Sequence, residues 1–147
     1  MKTNLIDEPI GFLMGITYRR MVQYLQFRLK EYGITPEQWL VLFRLGEQDG
    51  INQKEIAVRS AKDQPTTARI LDVLHKKSLI EKRTCPMDRR SFLVTMTEKG
   101  KALLEQTIPV ERKAVDDMLD GVDHAQLELF RRTLWQINQN IDHQLRE

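Results

Sequence analysis

The chemistry of this chain concentrates in two adjacent stretches. The first is residues 80–97, where Lys82, Arg83, Arg89 and Arg90 surround a Cys85-Pro86-Met87-Asp88 turn and the alternating run Phe92-Leu93-Val94-Thr95-Met96-Thr97 follows. Alternation of this kind predicts a strand, and Cys85-Pro86 with the polar residues to Ser91 predicts a turn, so the stretch reads as a basic hairpin. Guanidinium groups at its tip, Arg89 and Arg90, can grip phosphates or enter a narrow, electronegative minor groove. Asp88 is placed to brace one of them through a bidentate pair, and Lys82 and Arg83 support the same loop. The second stretch is Gln64-Pro65-Thr66-Thr67-Ala68-Arg69. Gln can pair with adenine, Arg with guanine, and a Thr methyl can meet thymine, which suits a helix start lying in a major groove. Lys54 and Arg59 are further candidate phosphate contacts, which set position and salt dependence rather than sequence preference. The bland alternative for each is a solvated turn, a cap or a packed threonine.

These residues need elements to hold them. Residues from about Glu8 to Tyr32 predict a long helix with Pro9 in its first turn and Gly33 at its end. Its apolar side chains cover more than one stripe, so it should pack on two sides. Thr35, Pro36 and Gln38 predict a capped helix to about Gln48, with Trp39, Leu42, Phe43 and Leu45 inward. Asn52 and Glu55 predict a short third helix. Asp63 caps a fourth over Gln64–Lys77, anchored by Ile70, Leu71 and Leu74. The closely spaced last two make a helix-turn-helix arrangement. After the hairpin, Thr97 caps a helix over about Glu98–Leu119, with a kink expected near Thr107–Ile108 because Pro109 lies within it. Asp120-Gly121-Val122-Asp123 breaks the chain before a last amphipathic helix, His124–Arg146. The expected organisation is three segments: 1–34, an N-terminal dimerisation helix; 35–100, the nucleic-acid-binding domain; and 101–147, C-terminal dimerisation helices. The apolar faces of the first and last helices predict a homodimer, the alternative being a self-contained helical bundle.

Size and composition bound the rest. At 147 residues the chain can bury a real core. Its net charge is only +2, but basic side chains outnumber acidic ones up to residue 100 and the balance reverses beyond it, which suits a polyanion-binding centre joined to another module. No apolar run is long enough for a membrane span, and no secretory signal stands out, so a cytoplasmic protein with no membrane partner is expected. One cysteine cannot form an internal disulfide. His75, His124 and His143 are far apart and show no ligand spacing, so neither a metal nor another cofactor is expected. No catalytic triad order, phosphate-cradling glycine loop or paired-carboxylate constellation appears, which argues against an enzyme.

Asp88-Arg89-Arg90 through Leu93-Val94-Thr95-Met96-Thr97-Glu98-Lys99-Gly100 resembles the wing signature of the MarR family of bacterial transcriptional regulators, with Met96 in place of the usual leucine. Leu74-His75-Lys76-Lys77-Ser78-Leu79-Ile80 is similar to the family's link into the wing, with His75 replacing an acid and Ser78 a glycine. The resemblance extends over essentially the full chain. It implies a mainly α fold with a small β wing: a winged helix-turn-helix flanked by N- and C-terminal dimerisation helices. It also implies that Arg90 is the main wing contact and that Thr66, Thr67 and Arg69 lie on the recognition helix. Such proteins bind pseudo-palindromic double-stranded DNA operators as homodimers. Many are repressors released by small phenolic or other anionic effectors. Met14, Tyr18, Arg19, Met21, Trp39 and Phe43 are the candidates for holding a small anionic or aromatic effector, with Arg19 or Arg20 as its carboxylate partner; core packing is the alternative role for the apolar five. The family's peroxide-sensing pattern, a cysteine in the first helix, is absent, and Cys85 stands at the wing base instead. The competing function is a helical protein-interaction module or antirepressor whose basic hairpin does not touch DNA.

Overall fold

The computed structural model describes residues 4–146; the first three residues of the expected N-terminal segment, and Glu147, lie outside it. Local hydrogen bonds set most helix starts. After a 3-10 turn at Leu5–Asp7, α1 runs over Ile10–Leu29, with Pro9 at the N-cap position rather than inside the first turn. A second 3-10 turn, Lys30–Tyr32, leads to Gly33, whose φ of 67° places it in the left-handed region that glycine adopts without a Cβ penalty. α2 is Pro36–Glu47 and begins with the full reciprocal capping box: the Thr35 hydroxyl accepts from the Gln38 N–H, and the Gln38 side chain accepts from the Thr35 N–H. Asn52 caps α3 (Gln53–Arg59) by accepting from the Glu55 N–H at 2.9 Å. Asp63 caps α4 (Gln64–Lys76) through the Thr66 N–H at 2.7 Å.

The hairpin consists of β2, Ile80–Cys85, and β3, Asp88–Met96, with only Pro86 and Met87 between them. Asp88, expected in the turn, already belongs to β3. The pairing slips between Thr84 and Cys85, close to the turn. A third strand was not expected from the sequence: Ile51–Asn52, β1, pairs antiparallel with Val94 and Leu93, giving the sheet order β1-β3-β2. Two residues are too few to show an alternation. Gly50, at φ 71°, lets the chain turn into β1 and donates its N–H to the Val94 carbonyl at 3.0 Å. On β3, Val94 and Met96 face inward, as the alternation requires.

Thr97 caps α5 (Glu98–Met118), accepting from the Gly100 N–H at 3.1 Å. The helix continues through Pro109 without a break. Asp123 and Gln126 form a second capping box at the start of α6, His124–Leu145.

The chain forms two compact units, one up to Ala114 and one from Val115 onward. In the first, Leu29, Ile34 and Trp39 join side chains from α2, α3, α4, the sheet and Leu104 of α5 in one core. The Trp39 indole N–H donates to the Thr107 hydroxyl at 2.9 Å, and its ring stacks on Phe43 at 5.1 Å. In the second, no side chain of α6 is buried, and Leu129, Phe130, Trp135, Ile141 and Leu145 stand exposed.

Candidate nucleic-acid interface

The phase of α4 decides which of its residues can meet a ligand. Thr67, Ile70, Leu71 and Leu74 recur at three- and four-residue steps and are buried. The opposite side therefore carries Pro65, Arg69, Asp72 and Lys76, all exposed, with exposed Gln64 at the N-terminal flank. The expectation that Thr67 contacts a base is corrected by its position: it has no exposed surface, and its hydroxyl donates to the Asp63 carbonyl at 2.8 Å. A threonine one turn into a helix can satisfy its hydroxyl on a preceding carbonyl and pack its methyl inward, and here it does both. Thr66 is half-buried. Hydrogen bonds from Thr66, first from its backbone N–H and then from its side chain, hold the Asp63 carboxyl below its ordinary 3.8. Gln64 stays outward while its carbonyl accepts from the Gln53 side chain at 3.5 Å, tying the start of α4 to α3.

Arg69 leans back toward α2, where Glu37 meets its guanidinium at 3.1 Å. Lys54 is exposed on α3. Arg59 is engaged by Glu55 at 3.2 Å and by a short hydrogen bond to the Gln48 side chain, so its charge is already half committed within the chain.

At the hairpin tip Arg89 and Arg90 are exposed, and among the described residues no carboxylate pairs with either guanidinium. Asp88 does not brace a guanidinium as expected. Its Oδ1 accepts from the backbone N–H of Arg90 at 2.9 Å, because a carboxylate two residues before an N–H closes an Asx turn without ordering a long side chain. It therefore shapes the strand that carries the arginines. Arg83 is exposed, with Glu81 at 3.9 Å.

Three contributors escaped the sequence reading. Asp72 lies on the outward side of α4 and accepts from Lys82 Nζ of β2 at 2.8 Å; its outward phase was the available signal. Lys77, just past α4, donates to the Gly33 carbonyl at 2.7 Å and to Gln38 Oε1 at 2.8 Å, anchoring the end of α4 to the start of α2. Asp49 accepts from the Met96 N–H at 2.9 Å and holds the base of β3.

The candidate effector residues divide. Trp39 and Phe43 belong to or border the core, whereas Met14, Tyr18, Arg19 and Met21 are exposed along α1. A surface depression of about 510 Å³ in this unit is lined elsewhere, by Tyr32, Lys77, Lys99, Gln106 and their neighbours. The Trp39 indole N–H already has a buried partner in Thr107. Cys85 is a half-buried free thiol in β2. No group of three or more His, Cys, Asp or Glu side chains among the described residues is placed to hold a metal ion, and no described helix is long and apolar enough to cross a membrane.

Comparison with known proteins agrees with this geometry. The family model for the MarR family matches residues 34–92, which span α2 to the middle of β3. A probable transcriptional regulator from Pseudomonas aeruginosa is 28% identical, with 90% of this chain and 98% of that chain covered and a TM-score of 0.83. BpsR of Bordetella bronchiseptica, whose DNA binding is regulated by 6-hydroxynicotinic acid, is 27% identical over 89% of this chain and 99% of its own, with a TM-score of 0.82. A MarR transcriptional regulator from Methanosarcina mazei is 27% identical over 90% and 96%, with a TM-score of 0.79. With its outward-facing helix beside a hairpin tipped by two arginines that pair with no carboxylate among the described residues, and with these likenesses running nearly end to end, the chain is similar to the MarR family of winged helix-turn-helix regulators, whose family model it matches over residues 34–92, and the likenesses support a DNA-binding transcriptional regulator.

Proposed function

We propose that this regulator is a repressor that binds a pseudo-palindromic duplex as a homodimer and is released by a small anionic or aromatic effector. The observation that carries the DNA-contact part is the pairing of two surfaces in one unit. α4 turns Gln64 and Arg69 outward, and β3 carries Arg89 and Arg90 near its start, where no carboxylate among the described residues pairs with their guanidinium groups. Residues 35–100 thus serve as the DNA-binding domain. Gln64, Thr66 and Arg69 read base edges, and Lys54, Arg59, Arg89 and Arg90 hold phosphates or the minor groove.

Homodimerisation draws support from the bare apolar surfaces at either end of the chain, in residues 1–34 and 101–147. On α1, Ile10, Phe12, Tyr18 and Phe27 are all more than half exposed, as are Leu129, Phe130 and Trp135 on α6. Apolar patches on this scale mark interaction surfaces, and a second copy offers the same patches by two-fold symmetry. A two-fold dimer carries two copies of α4, so its operator mirrors that symmetry. The effector reading rests on the family likeness and on BpsR, whose regulator is a small aromatic acid. Met14, Tyr18, Arg19 and Met21, exposed along α1, remain the proposed contacts for it.

Selection of duplexes from a random-sequence pool by the purified full chain, with sedimentation of the free protein, tests this reading. The expected result is an inverted repeat bound by a dimer. Recovery of no enriched sequence, with a stable protein partner instead, would favour the interaction-module alternative. Titration of the bound duplex with small aromatic acids tests the effector.

A further inference from the structure

Asp72 raises a problem of charge. It is exposed on the outward side of α4, one helical turn from both Arg69 and Lys76, on the surface that faces a polyanion in the proposed complex. A carboxylate there repels phosphate unless something offsets it. The offset comes from the wing: Lys82 Nζ of β2 lies 2.8 Å from Asp72 Oδ1. The Lys82 side chain is only 28% exposed, so most of its stem lies along the protein and its head is directed at α4. Its backbone sits opposite Val94, which is buried near the C-terminal end of β3. The same strand β3 begins at Asp88 and carries Arg89 and Arg90 at its far end. One ion pair therefore joins the middle of the helix to the lever that bears the wing arginines.

We propose that Asp72 and Lys82 are a positioning pair that sets the angle of the wing to the recognition helix, so that both engage one DNA site together. The proposal rests on the DNA-binding reading above, and it assigns Lys82 a partner within the protein rather than on the phosphate backbone. The Lys82 hydrogen bond and charge hold the Asp72 carboxyl below its ordinary 3.8, with smaller help from Lys76 and His75. Asp72 is thus ionised, and the pair is formed, throughout the neutral range.

The sign of one substitution separates this role from simple electrostatics. If Asp72 only repelled DNA, Asp72→Ala would tighten binding. If it positions the wing, Asp72→Ala weakens binding although a negative charge has been removed. The test uses the full-length protein and the duplex recovered by random-sequence selection, titrated over a range of salt. Asp72→Ala and Lys82→Met are each expected to lower affinity by about fivefold, since two exposed pairs per dimer are each worth little alone. The double variant should be no worse than either single one. Lys82→Arg should keep wild-type affinity, and the salt slope should be unchanged in all four. Hydroxyl-radical protection should fade at the outer, wing-contacted positions and persist at the centre of each half-site.

Tighter binding by Asp72→Ala would overturn the proposal. So would a fall in salt slope of about one per protomer in Lys82→Met, because that is the mark of a direct phosphate contact. A second arm needs no DNA: amide hydrogen exchange in β2 and β3 of the free protein should quicken in both single variants, and unchanged exchange would count against the tie. A wild-type protein that binds no duplex sinks the DNA-binding reading itself, an outcome distinct from a binding wild type whose variants match it.

Discussion

The Trp39 indole N–H and the Thr107 hydroxyl meet at 2.9 Å inside the core, joining α2 to α5 across 68 positions of sequence. Thr107 in turn donates to the Leu103 carbonyl at 2.7 Å, so its hydroxyl is used in both senses. Thr107→Val keeps the shape and strands the indole N–H, and burying an unpaired donor costs about 1–3 kcal/mol. Urea unfolding should register that loss, and adding Trp39→Phe should recover part of it. Equal stability of wild type and Thr107→Val would remove the bond from the account of the core.

Gly100 meets a tighter constraint. A Cβ at that position would lie 2.2 Å from the Leu79 carbonyl oxygen and 2.9 Å from Met96 Cγ. The Leu79 carbonyl also accepts from the Thr97 N–H at 3.1 Å, at the joint between the sheet and α5. Gly100→Ala should therefore destabilise despite alanine's better helix propensity, by about 1–3 kcal/mol as for other overpacked sites. A stabilised variant in thermal unfolding would contradict this.

Ser78 ends the α4 segment at φ 61°. The left-handed region costs a non-glycine residue about 1–2 kcal/mol, and glycine's greater unfolded-state freedom returns about 0.4–1 kcal/mol of that, so Ser78→Gly should stabilise by about 0.5–1 kcal/mol. The bonds from the Ser78 N–H to the His75 carbonyl and from the Thr97 hydroxyl to the Ser78 carbonyl survive the change. Chemical denaturation of the two proteins side by side decides it.

The Asp63 cap should impose a pH dependence. Its folded-state pKa lies below 3.8 because Thr66 donates to the ionised form. The group therefore stabilises the fold above about pH 3.8 and loses that contribution as pH falls through the lower folded value. Asp63→Asn keeps a side-chain acceptor without a titrating charge. The stability difference between wild type and Asp63→Asn should be constant near neutrality and shift against wild type below pH 3.8. A pH-independent difference would refute the assignment.

Arg90→Ala tests the wing contact. Arg90 is exposed and its guanidinium has no internal carboxylate partner among the described residues, so folding should be unaffected. Binding to the selected duplex should weaken, and the slope of log affinity against log salt should shrink by about one per protomer. An unchanged slope would place Arg90 away from the phosphates and out of the groove.

Much of the helix-start pattern was legible in the residues because it depends on contacts within a few positions. Thr35, Asn52 and Asp63 each accept from the backbone N–H three residues ahead, and such bonds need only the right side chain at the right spacing. The alternation of Val94 and Met96 likewise specified one face of β3. Tertiary structure decided what local spacing leaves open. Thr67 could face either way, since it carries both a methyl and a hydroxyl, and packing turned it inward. Two residues sufficed for β1 only because β3 lay ready to pair with them. Gly100 reads as a weak spot in a helix until the Leu79 carbonyl occupies the space a side chain would need. Asp72 and Lys82, on separate elements, became partners only when β2 was laid beside α4. The local rules specify the pieces because the hydrogen bonds that make them close over one helical turn or one strand pair. Which side chains end inside, and which distant charges meet, follows from how those pieces bury their apolar faces against one another.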